Sequence, residues 1–440
     1  MTPSSADPDA EYSLAEARTL RQQRRASLRF SYGNALLWGW GNGLASTSLA
    51  IYLALELDAP QLGLGIGLLL AGPQFIGTLR LFSPYFINRI EQRKPFCIRL
   101  YLLSAWWFLG ISLLVFLTDS FSSRLLLLLL VALWCSAHLY EYFATIALWS
   151  WLDDTIPFRL RGRFIGRRNR WLLSGTIAAT LASSLFLFVC ETYNLFEDQR
   201  LVEYSVLNLL GCSSLIIAVI PLAFIRQVPA TQSVSPWSIR PLLAPLQSSA
   251  LRGFLLYACW FSFANGITQS AQGIYPKAIL AISLSYLLLL RSGMRIGQWL
   301  VSPQVGRWAD RWGNRKILIA SQMLVAFGPL FYFLASKDSP HWIIGAWLVW
   351  IAYAGLNISL PAYLLKIVPS QWNQSGLSLY FAFGGIFYAI GTLLGGTIVD
   401  LFAPFDATLD TKIAFYGQFF IIGCCLRMLG VPLLLCLTEK

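Results

Sequence analysis

The feature that most limits what this chain can become is the recurrence of long, unbroken apolar runs. Twelve of them, at about 31–53, 62–83, 98–118, 124–150, 170–190, 205–226, 253–276, 279–303, 317–335, 342–365, 376–399 and 413–437, are separated by short polar segments. About 20 apolar residues in helical form cross the hydrocarbon core of a bilayer. Composition agrees, because only 12% of residues are charged, roughly half the share in a soluble domain. The expected fold is an all-α integral membrane protein with twelve transmembrane helices.

The net charge of +12 could point to nucleic acid, but its distribution points elsewhere. Of 33 Lys and Arg, 25 fall in the N-terminal tail, alternate loops with the run ends beside them, the central segment and the C-terminal end. Arg124, Arg200, Lys277, Lys337 and Lys412 fall in the opposite loops, and Arg291, Arg295 and Arg427 inside spans. This asymmetry puts both termini in the cytoplasm, and the expected location is the cell (inner) membrane of a bacterium. The lipid bilayer is therefore the partner the charge reports, with no nucleic acid. Residues 1–15 read as disordered, and 1–28 lack the apolar core of a cleavable signal peptide. Most of the eight cysteines sit in apolar runs without metal-site spacing, and two histidines are too few for a cluster, so no metal and no cofactor is expected.

The segment Gln227–Ser249, rich in Pro, Ser and Gln, divides the runs six and six. The resulting organisation is a cytoplasmic tail over 1–30, a six-helix half over 31–226, a cytoplasmic linker over 227–250 and a second half over 251–440. The halves repeat weakly. Asn42-Gly43 and Ile51-Tyr52 recur as Asn265-Gly266 and Ile274-Tyr275, an offset of 223. Ser83-Pro84 with Arg93-Lys94 recurs as Ser302-Pro303 with Arg315-Lys316, and Pro157 as Pro369, an offset of 212. Parallel repeats of this kind are related by an axis along the membrane normal.

Between the eighth and ninth runs lies GRWADRWGNRK, Gly306–Lys316. It reads as a tight loop in which Gly306 and Gly313 supply unusual backbone geometry and arginines hold the cytoplasmic side. The spacing G-x-x-x-D-R-x-G-x-R-K resembles the loop signature of the major facilitator superfamily of transporters. The loop after the second run, SPYFINRIEQRK, has Asn88 but no acid at the signature position. The loop after the fourth, PFRLRGRFIGRRN, resembles the arginine-glycine loop of many members. The resemblance implies two pseudo-symmetric six-helix halves, a small solute held near the midplane, and alternating access driven by an ion or solute gradient, the protein acting as a monomer. It also implies a gate built on Gly306, Asp310, Arg311, Gly313, Arg315 and Lys316, in which Asp310 ties helix ends together in one conformation. On that reading Asp310→Ala abolishes uptake with expression intact.

Helices 1, 4, 7 and 10 border the cavity in the superfamily, and polar residues in such spans avoid lipid. The cavity candidates are Asn34, Trp38, Asn42, Glu141, Trp260, Asn265, Gln269, Gln272, Arg291 and Arg295. Asn265, Gln269 and Gln272 share one helical face. Arg291 and Arg295, one turn apart, either bind an anionic substrate or pair with Glu141 as a latch between the halves. Ionisable groups at membrane depth mark function, so Glu141, with His138 one turn before it, is the proton-coupling candidate. Arg427 reads as a snorkelling or structurally paired side chain, and the glycines of the eleventh run as packing.

No nucleophile elbow, phosphate loop or zinc spacing is present, so an enzyme is not expected. The drug-antiporter glycine-proline motif is absent from the fifth run, GTIAATLASS. A transporter-like receptor or scaffold without flux stands as the alternative, with a lipid-handling membrane protein behind it.

Overall fold

The computed structural model describes residues 14–82, 90, 92–155, 161–197, 199–227, 242–369, 372–404 and 407–437. Among these the helices form twelve rods. They are α1 (Leu14–Leu44, resuming as Thr47–Glu56), α2 (Leu62–Phe82), α3 (Arg93–Leu117), α4 (Ser123–Thr155), α5 (Arg161–Tyr193) and α6 (Arg200–Ala223). The second set is α7 (Ser249–Ile267, resuming as Gln269–Ala278), α8 (Leu284–Trp312), α9 (Asn314–Leu334), α10 (Pro340–Ile367), α11 (Asn373–Phe402) and α12 (Leu409–Leu435). Large apolar side chains stand exposed around the perimeter, Phe116 at 78% and Trp106 at 69% among them. A water-soluble protein would not leave such a surface bare.

Nine rods are long and apolar enough to cross a membrane. The three that fall short are α1, α7 and α8. Two of these are also broken. Ser46 caps the second segment of α1 by accepting from the Leu49 amide. Thr268 separates the segments of α7.

Glycines set how closely the rods cross. A methyl at Gly43 would meet Ala179 and the Thr176 carbonyl of α5, and one at Gly266 would meet the Tyr388 carbonyl of α11. The repeated Asn-Gly pair thus marks one structural position in each half, where α1 crosses α5 and α7 crosses α11. On α11, Gly391 and Gly395 face α7, whereas Gly385 and Gly396 face α2 of the other half. One helix is therefore packed closely on two sides.

The sequence-based loop Gly306–Lys316 is corrected here. Helix α8 does not stop at Pro303 but continues to Trp312, and α9 starts at Asn314. Only Gly313 is a turn, with φ 91° and ψ 150°, a backbone region that side chains with a Cβ resist. Gly306 is helical with open space around it, so its conformational freedom is not used. The basic end of the segment has a packing role. Arg315 donates through Nε to the Leu434 carbonyl (3.1 Å) and through Nη2 to the Leu435 carbonyl. Lys94 does the same for α6, donating to the carbonyls of Ala223 (2.7 Å) and Ile225 (2.9 Å). In each half the repeated Arg-Lys pair supplies a cation to the carbonyl end of that half's last helix, where the helix dipole favours positive charge.

The N-terminal basic stretch is helical, continuous with α1 from Leu14. The expectation for residues 1–13, the central linker over 228–241 and the signature-like loop over 83–89 lie outside the described residues.

Candidate functional site

Between the halves lies a cavity of about 640 Å³, with walls from α1, α2 and α7 to α11. Five sequence candidates line it: Asn265, Gln269, Gln272, Arg291 and Arg295. The spacing that puts the three amides on one face of α7 turns them inward together, although α7 is interrupted between the first and second. Five candidates lie elsewhere. Asn34 is 1% exposed and ties α1 to its neighbours, donating to the Ala218 carbonyl (2.8 Å) and accepting from Arg168 Nη2 (2.9 Å). Trp260 faces a separate apolar groove between α7 and α11 and donates to the Leu426 carbonyl. Trp38, Asn42 and Glu141 form a cluster of their own, and no α4 residue lines the cavity. The superfamily pattern of helices 1, 4, 7 and 10 therefore describes this cavity only in part.

The latch between Glu141 and the two arginines is absent. Glu141 Oε1 accepts from Trp38 Nε1 (3.0 Å) and Asn42 Nδ2 (3.3 Å), and Oε2 lies 3.0 Å from His138 Nδ1. All these partners belong to the N-terminal half. Arg291 Nη1 donates to Ser48 Oγ at 2.6 Å, and Arg295 Nη1 to Gln298 Oε1 at 3.4 Å. Among the described residues neither guanidinium meets a carboxylate, and the lining contains no acidic residue. Two cations one helical turn apart are left facing a polar cavity with most of their donors unused.

Arg427 does not snorkel. It is 1% exposed in α12 and donates through Nη2 to Thr268 Oγ1 (3.0 Å) at the break in α7. Its backbone carbonyl accepts from Gln322 Nε2. A buried cation thereby holds the interruption that lets the amides of α7 face the cavity.

The end of the molecule away from the termini is tied shut across the halves. Lys277 of α7 pairs with Glu56 of α1 at 2.7 Å, and the Tyr52 hydroxyl donates to the Ile282 carbonyl at 3.0 Å. Ser285 of α8 donates to Glu191 Oε2 of α5 (3.0 Å), whose other oxygen pairs with Arg200. Asp400 of α11 accepts from the Gly63 and Leu64 amides of α2, each at 2.7 Å. Helix α2 starts at Leu62, its N-cap residue Gln61 makes no side-chain cap bond, and the carboxylate from the other half supplies one. Asp400 escaped the sequence reading because an acid near a helix end looks like any solvated residue. The available signal was the missing cap residue before Leu62, which says that something must satisfy those amides but not what.

At the opposite end Asp310 is exposed, and no contact joins it to another described residue.

Residues 250–438 match the sequence model described as Major Facilitator Superfamily. No curated protein matches the chain. Among solved structures, a mutant of the nucleoside transporter NupG aligns at TM-score 0.71 with 13% identity, over 95% of this chain and 100% of that one. A D-xylose–proton symporter aligns at 0.68 and 12%, over 94% and 98%. A bacterial homologue of the human lysosomal transporter Spinster, in an inward-facing and unoccupied conformation, aligns at 0.66 and 14%, over 95% and 99%. At such identities the likeness is one of fold.

Proposed function

We propose, from the premise that this chain is a secondary transporter of the major facilitator superfamily, that its solute is a small anion bound at Arg291 and Arg295. The observation that carries this reading is a cavity holding two guanidiniums and no carboxylate. A cation at membrane depth is costly without a partner, and a solute carboxylate or phosphate would supply one through charge-assisted hydrogen bonds. Arg291 is already held by Ser48 of the opposite half, so anion binding there engages both halves at once. The test is uptake of labelled anions into proteoliposomes: wild type accumulates an anion against counter-anion, and Arg291→Ala does not. Equal uptake by both would overturn the reading, and no flux of any solute would favour a receptor or scaffold.

Proton coupling is a second reading, supported by Glu141 and His138, an acid and a base in hydrogen-bond contact inside the N-terminal half. The buried His138 Nε2 has no hydrogen-bond partner, and a chain of titratable groups at membrane depth is suited to carrying protons. With both termini cytoplasmic, as the basic loops indicate, the shut end faces outward and the cavity belongs to an inward-facing state. Asp310 then finds its partners only in the outward-facing state. The same reading places the protein as a monomer in a bacterial inner membrane.

A further inference from the structure

Resting on the anion reading above, we infer that the solute is an anion of a planar aromatic or heteroaromatic ring bearing a hydrogen-bonding group on its edge. Three observations converge on the cavity. The first is the pair of guanidiniums without a carboxylate, which takes the acidic end. The second is the character of the remaining wall. Tyr353 packs against Phe261 with ring centroids 6.5 Å apart, and Trp350 joins Trp347 (5.3 Å) and Tyr332 (5.8 Å), so two groups of rings from α7, α9 and α10 border the space. Ring faces and edges prefer another aromatic ring in offset or edge-on contact over a saturated one of the same volume.

The third observation is Gln272. It is 4% exposed and lines the cavity, yet neither its amide nitrogen nor its amide oxygen has a hydrogen-bond partner. A buried donor and acceptor left open is costly unless a ligand closes it. A side-chain amide offers both together, which matches a ring hydroxyl, ring amide or ring nitrogen at the solute's edge. Asn265 differs from Gln272, because its oxygen already accepts from the Tyr353 hydroxyl at 2.9 Å. An aliphatic di-anion would use the arginines but leave the rings and Gln272 unmatched.

The test is calorimetric binding to purified full-length protein in lipid nanodiscs. The probes are 4-hydroxybenzoate, cyclohexanecarboxylate, succinate, inorganic phosphate, adenosine monophosphate and neutral 4-hydroxybenzamide. The expected result is that a ring anion, carboxylate or phosphate, binds about tenfold more tightly than cyclohexanecarboxylate, the scale of an aromatic contact with one added hydrogen bond. Gln272→Leu then weakens ring-anion binding by about fivefold and leaves cyclohexanecarboxylate unchanged, whereas Arg291→Ala weakens every anion. Cyclohexanecarboxylate or succinate binding as tightly as the ring anions overturns the ring inference and leaves the anion reading standing. Tighter binding of the neutral amide than of 4-hydroxybenzoate, or no binding of any anion, overturns both.

Discussion

The two halves hold the same three-residue arrangement with different chemistry. In the N-terminal half, Trp38 and Asn42 of α1 both donate to Glu141 of α4. At the repeat offset of 223, Phe261 and Asn265 of α7 stand in their places, and at the offset of 212, Tyr353 of α10 stands in the place of Glu141. There the Tyr353 hydroxyl donates to Asn265 and its ring packs on Phe261. The asparagine keeps its position and reverses its role, offering its nitrogen to an acid in one half and its oxygen to a phenol in the other. One half thus buries a charge that its own residues satisfy, while the other keeps its equivalent position neutral and carries cations on α8 instead. A satisfied charge is stable without a ligand, and an unsatisfied one calls for a ligand.

This contrast can be broken experimentally, and Arg291→Ala has the largest expected effect. Removing a charge-assisted contact worth about 1.5–3 kcal/mol weakens anion binding by roughly 10- to 150-fold, read by calorimetry or by uptake kinetics. Glu141→Gln, which keeps acceptors for Trp38 and Asn42 but cannot ionise, leaves anion binding within about threefold while removing the dependence of uptake on a proton gradient. Uptake that still follows the gradient in that variant would make Glu141 purely structural.

Asp400→Asn addresses the shut end. Losing the charge on the α2 cap costs about 1 kcal/mol, shifting the population toward opening of that end by about fivefold. Spin labels on either side of that end would read the shift as a longer distance. Asp310→Ala has the smallest effect on binding, within about twofold, because the carboxylate touches nothing described in this state; the loss falls on the rate of uptake. A binding defect equal to that of Arg291→Ala would mean that Asp310 reaches the cavity side.

Much of this was legible in the sequence because a bilayer is a severe solvent. Each apolar run had to be a helix of about the membrane's thickness, and the twelve expected spans coincide with the twelve rods, except that α1 begins at Leu14 and α5 at Arg161, so that the arginine-glycine segment expected as a loop is helical from Arg161, and that α8 runs through Pro303 to Trp312. The polar residues of α7 and the arginines of α8 were identifiable because lipid excludes them. Their partners were not. The sequence allowed Arg291 to pair with Glu141, and the fold instead gave Glu141 to Trp38, Asn42 and His138 and gave Arg291 to Ser48.

The sequence alone therefore determined that the chain spans a membrane in twelve helices, that two halves repeat, and which family's loop signature it resembles. Those properties follow from local solvent preference and short spacing, which need no knowledge of neighbours. Only the tertiary structure decided that Asp400 caps a helix in the other half, that Arg315 and Lys94 close the last helix of each half, and that the cavity's cations lack a carboxylate. Such facts depend on contacts between residues as far apart as Gly63 and Asp400, and their geometry is set by packing rather than by any pattern along the chain.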